Sequence, residues 1–243
     1  MKSKTVSICC FISGMQLYSV DAALVAVDVI RATTTATTAV STGRKCHLAP
    51  TLHAVLETAS RLPKALLAGE LGGDMPAGFD LTNSPAQLAG HPDISRPLVL
   101  LSSTGTRLIY EIRHRKSAYL ACFRNYTATI EHLARYHNNV VLIGAGTRGE
   151  FREEDQMCCA WIAQGLIQSG FVAQDEMTSQ LVERWRGASQ DAFMISRSVE
   201  YLRRSHQLRD LDFILSHFDD IDLTCKVGAN TVSCLAEAAE VQL

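Results

Sequence analysis

The chain has 243 residues, 47% of them apolar and 20% charged, a composition that suits one large α/β domain or two small ones with a core that needs no disulfide support. Its 23 basic and 25 acidic residues leave a formal net charge of -2 with no long basic block. That balance argues against a nucleic-acid or membrane-surface protein, whereas a small anionic substrate needs only a local positive site.

The first predicted element is a strand over Val6–Ile12, after the basic start Met1-Lys2-Ser3-Lys4. It breaks at Ser13-Gly14 and is too short to span a bilayer, so the expectation is a cytoplasmic protein without a membrane segment. Ala22–Val27 predicts a buried strand, followed by a helix over Thr34–Thr42. Helix Leu52–Arg61 and strand Ala65–Ala68 come next, then strand Pro97–Leu101 and helix Thr106–His114. Strand Ala118–Ala121, helix Thr127–His137 and strand Val140–Ile143 continue the alternation. Such a rhythm implies a largely parallel sheet covered by helices on both faces.

From Phe151 onward the pattern becomes mainly helical, with helices over Glu153–Ser169, Asp175–Trp185 and Ser198–Ser205 and one strand candidate, Ile221–Thr224. No Pro- or Gly-rich linker intervenes, so residues 1–243 read as a single unit. The other organisation is a sheet core over 1–150 and a helical cap over 151–243. Trp161 and Trp185 read as packing residues of these helices. The eight cysteines show no C-x-x-C or zinc spacing and read as reduced thiols of a cytosolic protein.

In α/β enzymes, ligands bind outside the carboxyl ends of the strands, where new helices present free N–H groups. The first such exit carries Asp28 and Arg31 followed by Thr33 and Thr34, which suit either catalysis or a local ion pair with a threonine cap. The second carries Gly69-Glu70-Leu71-Gly72-Gly73, an acid among glycines that let a backbone approach a ligand. Asn83 and Ser84 then precede a short helix and read equally well as caps. At the third exit, Ser103, Thr104, Gly105 and Thr106 form a candidate nest for phosphate or sulfonate oxygens. The fourth ends at Cys122-Phe123-Arg124-Asn125, where Asn125 either caps a helix or donates to a ligand.

The fifth exit, Gly144–Gly149, formally matches G-x-G-x-x-G and raises the alternative of a nucleotide-cofactor enzyme. Gln168 and Ser169 stand where the ribose-binding acid belongs, and Glu150, Glu153, Glu154 and Asp155 would repel a pyrophosphate. Those carboxylates suit a divalent cation. Carboxylates and anion donors at several exits favour metal-assisted phosphoryl chemistry, since magnesium takes oxygen ligands and keeps waters for a substrate phosphate. The eight histidines read as surface or capping residues, and no histidine base is invoked.

The blocks Asp28–Thr35, Gly69–Gly73, Gly78–Pro85, Ser103–Thr106, Cys122–Asn125 and Gly146–Asp155 resemble, in the same order, those of the 2-phosphosulfolactate phosphatases. The family blocks run D-V-L-R-A-T-T-T, G-E-R-x-G, G-F-D-x-G-N-S-P, T-N-G-T, S-F-x-N and G-T-x-G-x-F-x-x-E-D. This chain departs from them at Leu71 (arginine), Thr82 (glycine), Thr104 (asparagine) and Cys122 (serine). Leu71 removes a bidentate anion clamp.

The resemblance implies a three-layer α/β/α fold with a parallel or mixed sheet and a Mg2+-dependent enzyme of coenzyme M biosynthesis. Its reaction is hydrolysis of the phosphate ester of a small, polyanionic 2-hydroxy acid, 2-phosphosulfolactate or a related compound. Catalysis falls to Asp28 and Arg31, and the metal to Asp28, Glu70, Glu154 and Asp155. Thr33, Thr34, Asn83, Ser84, Ser103, Thr104, Gly105, Thr106, Asn125 and Gly146 would bind phosphate or substrate. The apolar C-terminal helices would bury against the sheet or against a second subunit in a homodimer. A non-catalytic anion-binding homologue is the remaining alternative, because Leu71 and Thr104 alter the site.

Overall fold

In the computed structural model, which describes residues 3–10, 19–146 and 150–235, the first two apolar runs are strands β1 (Thr5–Cys10) and β2 (Ala23–Val27). The predicted end of the first strand, residues 11 and 12, lies outside the described residues. All five β2 side chains are buried: Ala23, Val25 and Val27 join one core cluster, and Leu24 and Ala26 join another. A strand packed on both faces therefore reads as a continuous apolar run.

Helix α1 (Ala32–Ser41) forms from A-T-T-T-A-T-T-A-V-S, whose β-branched threonines are weak helix formers. Burial of nine of its ten residues outweighs that preference. Three of its threonine hydroxyls turn back on the main chain: Thr33 to the Asp28 carbonyl at 2.8 Å, Thr34 to Val29 at 2.7 Å and Thr38 to Thr34 at 2.7 Å. These bonds satisfy polar groups that would be costly to bury unpaired.

The chain continues through β3 (Cys46–Ala49), α2 (Leu52–Ser60), β4 (Leu66–Gly69), α3 (Pro85–Ala89) and β5 (Leu98–Leu101). Next come α4 (Gly105–Ile112), β6 (Ala118–Ala121), α5 (Tyr126–Tyr136), β7 (Asn139–Gly144) and α6 (Glu153–Gln168). The last part comprises β8 (Val172–Ala173), α7 (Glu176–Trp185), α8 (Arg197–Arg204), α9 (Leu208–Ser216), β9 (Thr224–Val227) and β10 (Thr231–Leu235). The fold is three-layer α/β with a ten-stranded mixed sheet in the order β4-β5-β3-β10-β9-β6-β2-β7-β1-β8. β10 is antiparallel to β3 and β9, and β9 is antiparallel to β6; the other pairs are parallel. Helices α5, α6 and α7 cover one face, α1 and α4 the other, and α2 the outer side of β3 and β5.

Several short elements differ from the sequence-based expectation for a common reason. β3 is four residues long, C-H-L-A, and too short to show a period. The strand expected at Ile221–Thr224 begins at Thr224 and turns at Gly228 into β10, so the C-terminal third contributes a hairpin to the middle of the sheet. α9 has no counterpart among the elements the sequence predicts, and it carries Asp210. Non-local pairing and packing decide such short segments.

The hairpin reverses strand sense, so in a flat sheet β5 and β2 would end at opposite edges. Five strand steps separate them. At roughly 20–25° of twist per step, the two strands turn about 100–125° relative to each other. Helix α4 packs on both β2 and β3 inside that curl, and the exits of β4 and β5 come to lie beside the exit of β2. All eight cysteines are free thiols, and Trp161 and Trp185 pack with the core. No helix among the described residues is long and apolar enough to cross a membrane.

Candidate active site

Immediately after β2 the chain makes a tight turn around Asp28. Its N–H donates to Thr33 Oγ1 at 2.9 Å, and its carbonyl accepts from the Thr33 hydroxyl and the Thr33 N–H (3.0 Å). The Ile30–Arg31 peptide within this turn is cis. The carboxylate is buried and abuts Gly105, where an added Cβ would stand 2.0 Å from Asp28 Oδ2 and 2.4 Å from the Ala32 Cβ. Only glycine lets α4 begin this close to the acid. Burial pushes the Asp28 carboxyl up to about 7, opposed by the Ala32 N–H and reinforced by the nearby Glu70 and Glu154.

Arg31 does not pair with Asp28. Its Nη1 donates to Asp210 Oδ2 on α9 at 2.5 Å and also to Gln207 Oε1, and both side chains of the ion pair are under 5% exposed. The other Asp210 oxygen accepts from Ser84 Oγ at 2.5 Å and the Ala86 N–H at 3.2 Å. Ser84 also caps α3, accepting from the Gln87 N–H. Ser84 thus secures Asp210, and Asp210 secures Arg31. Sequence reading missed Asp210 because its partners lie more than a hundred positions away.

Glu70 leaves β4 and accepts from the Ser103 N–H at 2.6 Å, the Ser103 hydroxyl at 2.9 Å and the Gly73 N–H at 2.8 Å. The expected anion nest is therefore partly filled from within, and Ser103 serves Glu70. Thr106 closes its own turn, exchanging bonds with the Ser102 N–H and carbonyl. Thr33 and Thr34 likewise spend their hydroxyls on carbonyls, and Asn125 joins the Cys122 N–H to the carbonyls of Leu120 and Leu223. None of these four, expected to contact substrate, is on the cavity wall.

On α6, Glu154 and Asp155 are both buried. Asp155 accepts from the Val29 N–H at 2.8 Å and from the Gly146 backbone, tying the Asp28 turn to the end of β7. Gly146, at φ 60°, thereby serves Asp155 and lies off the cavity wall. Burial raises the carboxyl of Asp155 well above the usual range, with Glu154 and Asp28 adding to it. Burial also raises Glu154, and its Oε2 has no hydrogen-bond partner.

These carboxylates repel one another and are desolvated, which is the electrostatic setting a divalent cation relieves. Among the described residues no three acidic, histidine or cysteine side chains close into a complete metal cage. Magnesium needs only one or two protein carboxylates. Asp28 and Glu70, both on the cavity wall, fit that requirement, and the orphaned Glu154 oxygen lies buried behind them.

A cavity of about 630 Å³ opens over this turn. Of the expected residues, Asp28, Arg31, Glu70, Asn83, Ser103 and Thr104 line it. Asn83 is buried with an unpartnered Oδ1. Ser84, Gly105, Glu154 and Asp155 lie behind the wall and support it. The rest of the wall combines Glu150, one of the carboxylates suited to a cation, and Arg152, which both precede α6, with Arg197, Ser198, Glu200, Tyr201 and Arg204 from α8. The Tyr201 hydroxyl donates to the Gly73 carbonyl at 2.7 Å and ties α8 to the Glu70 loop. An amphipathic helix of this kind reads from sequence as a solvated face, and only its docking shows otherwise.

Gly144 of the formal glycine motif faces Phe151, with an added Cβ only 2.2 Å from the ring. Residues 147–149 of that motif lie outside the described residues, and α6 starts only at Glu153. Close ring packing accounts for this glycine.

The family model described as 2-phosphosulpholactate phosphatase matches residues 11–228. A protein of Synechocystis sp. named probable 2-phosphosulfolactate phosphatase is 31% identical over 211 residues, 83% of this chain and 87% of the relative. Proteins of the same name from Synechococcus sp. and Pseudothermotoga lettingae are 28% identical over 228 residues (90% of each chain) and 37% identical over 142 residues (58% of this chain and 61% of the relative). With matching blocks assembled around one acid-lined cavity at the strand ends, the chain belongs to the 2-phosphosulfolactate phosphatase family of phosphoric monoester hydrolases.

Proposed function

We propose that this protein is a magnesium-dependent phosphatase that hydrolyses 2-phosphosulfolactate, or a closely related 2-hydroxy-acid phosphate, to the free hydroxy acid and inorganic phosphate. The observation that carries the reading is the buried Asp28 carboxylate at the β2 exit, facing the same cavity as Arg31 and Glu70. The names of the relatives support the substrate. Charge supports the metal: four carboxylates (Asp28, Glu70, Glu150, Glu200) and four arginines (Arg31, Arg152, Arg197, Arg204) line the cavity, leaving no excess positive charge for a polyanion.

Asp28 and Glu70 would hold the cation, with the buried Glu154 carboxylate behind them. Bound there, magnesium would polarise the phosphoryl group and offset its charge. Arg31 enters with its orientation already fixed by Asp210 and Gln207, so its remaining N–H groups meet the phosphoryl oxygens without reorganisation. Thr104 and Asn83 stand on the same wall as further donors to the ester. Asp155 positions Asp28 through the Val29 N–H.

The test is phosphate release from a panel of 2-hydroxy-acid phosphates with magnesium and with chelator. Turnover should require the metal, and Asp28→Asn should lower kcat/KM at least about 100-fold, the scale of a lost transition-state contact. Full turnover in chelator, or by Asp28→Asn, overturns the reading.

A further inference from the structure

Leu71, at the position of the family arginine, is 48% exposed and does not line the cavity. Positive charge reaches the cavity from α8 and the entry to α6 instead. Arg197 and Arg204 are seven residues apart and share one face of α8, and Tyr201 on that helix anchors it to Gly73. Arg152 lies nearby with only 12% of its side chain exposed.

Between Arg152 and Arg197 sits Glu150. One of its oxygens accepts from Arg152 Nη1 at 2.6 Å, and the other accepts from Arg197 Nη1. Arg152 Nε is buried without any partner. Two guanidiniums thus grip the two oxygens of one carboxylate at the cavity wall, with a donor left over. Glu150 is 45% exposed and Arg197 70%, so this ion pair is largely hydrated and readily exchanged.

We propose that Arg152 and Arg197 form the subsite for a second oxyanion of the substrate, a carboxylate or sulfonate on the carbon chain that bears the phosphate. Glu150 is the internal carboxylate that this group displaces. The inference rests on the phosphatase reading and supplies, from α8 and the α6 entry, the anion clamp that Leu71 does not provide. Arginine suits the role because its planar fork matches an oxyanion with two or more acceptor oxygens.

A graded series tests it: isopropyl phosphate, 2-phospholactate and 2-phosphosulfolactate carry no, one and two acid groups besides the phosphate. Arg197→Ala should lower selectivity for 2-phosphosulfolactate over isopropyl phosphate by about 10- to 100-fold, mainly through KM, the scale of a charge-assisted hydrogen bond. Loss between the first two compounds assigns the subsite to the carboxylate, and loss between the last two to the sulfonate. Glu150→Gln should lower KM for the acid-bearing compounds about 3- to 10-fold by removing the competing carboxylate. Arg203→Ala, an exposed charge on the same helix outside the cavity wall, controls for the general field. Equal effects of Arg197→Ala and Arg203→Ala, or none from either, overturn the subsite.

If no compound releases phosphate, the phosphatase reading falls, and calorimetric binding of unphosphorylated sulfolactate tests the subsite alone. Binding weakened about tenfold or more by Arg197→Ala supports it. No binding, or equal binding, overturns it.

Discussion

Replacing Asp210 by alanine removes the acceptor that Arg31, Ser84 and the Ala86 N–H share. Both members of the ion pair are almost fully buried, at 4% and 3% side-chain exposure, so solvent cannot take over the lost contacts. Breaking a buried pair from one side costs about 3–5 kcal/mol, because a desolvated charge is left without a partner. For a chain of this size each kcal/mol moves Tm by about 2–4 °C, so Asp210→Ala should melt roughly 6–20 °C below the parent. Phosphate release should fall with it, since Arg31 loses its fixed orientation. The double variant Arg31→Met with Asp210→Leu separates the two effects. An apolar pair of similar size restores the part of the stability lost to the unpaired charge, though Ser84 and the Ala86 N–H still lack their acceptor, whereas activity stays lost. Thermal unfolding followed by circular dichroism, with phosphate release measured well below Tm, reads both. An Asp210→Ala protein within about 2 °C of the parent would refute the burial argument. An active double variant would remove Arg31 from the reaction.

Two other perturbations follow from the same geometry. Gly105→Ala places a methyl 2.0 Å from Asp28 Oδ2, so the start of α4 or the carboxylate must shift; activity should drop by at least about tenfold, and parental kinetics would show that Asp28 is not packed as described. The Asp28 carboxyl keeps its proton to about pH 7 in the folded chain but only to about pH 3.9 when unfolded. The native state therefore binds more protons across that window, and stability without metal declines as pH rises through it and levels off above about 7. In chelator, Tm should fall between pH 5 and pH 8, and Asp28→Asn should flatten the decline. A Tm that climbs over that range would contradict the raised carboxyls.

Much of the site was legible because its chemistry sits at strand exits, and apolar runs mark those exits directly. Asp28, Arg31, Glu70, Ser103 and Thr104 stand at such exits, and all five line the cavity. What a polar residue does with its hydrogen bonds was not legible. Thr33, Thr34, Thr106 and Asn125 carry the right groups in the right blocks, but nearby backbone groups consume them. Buried donors and acceptors must be paired, and the pairing partner is chosen by three-dimensional proximity.

By itself the sequence determined the alternation of strands and helices, the family and the end of the sheet at which the chemistry lies, because these follow from local periodicity and contiguous blocks. The tertiary structure decided the rest. The hairpin from the C-terminal third reverses the sheet, and accumulated twist brings the β2, β4 and β5 exits together. Docking of α8 and α9 then supplies Arg197, Arg204 and Asp210, whose neighbours across the cavity lie far away along the chain. Their roles depend on twist, burial and charge pairing over long sequence separations, which no local pattern records.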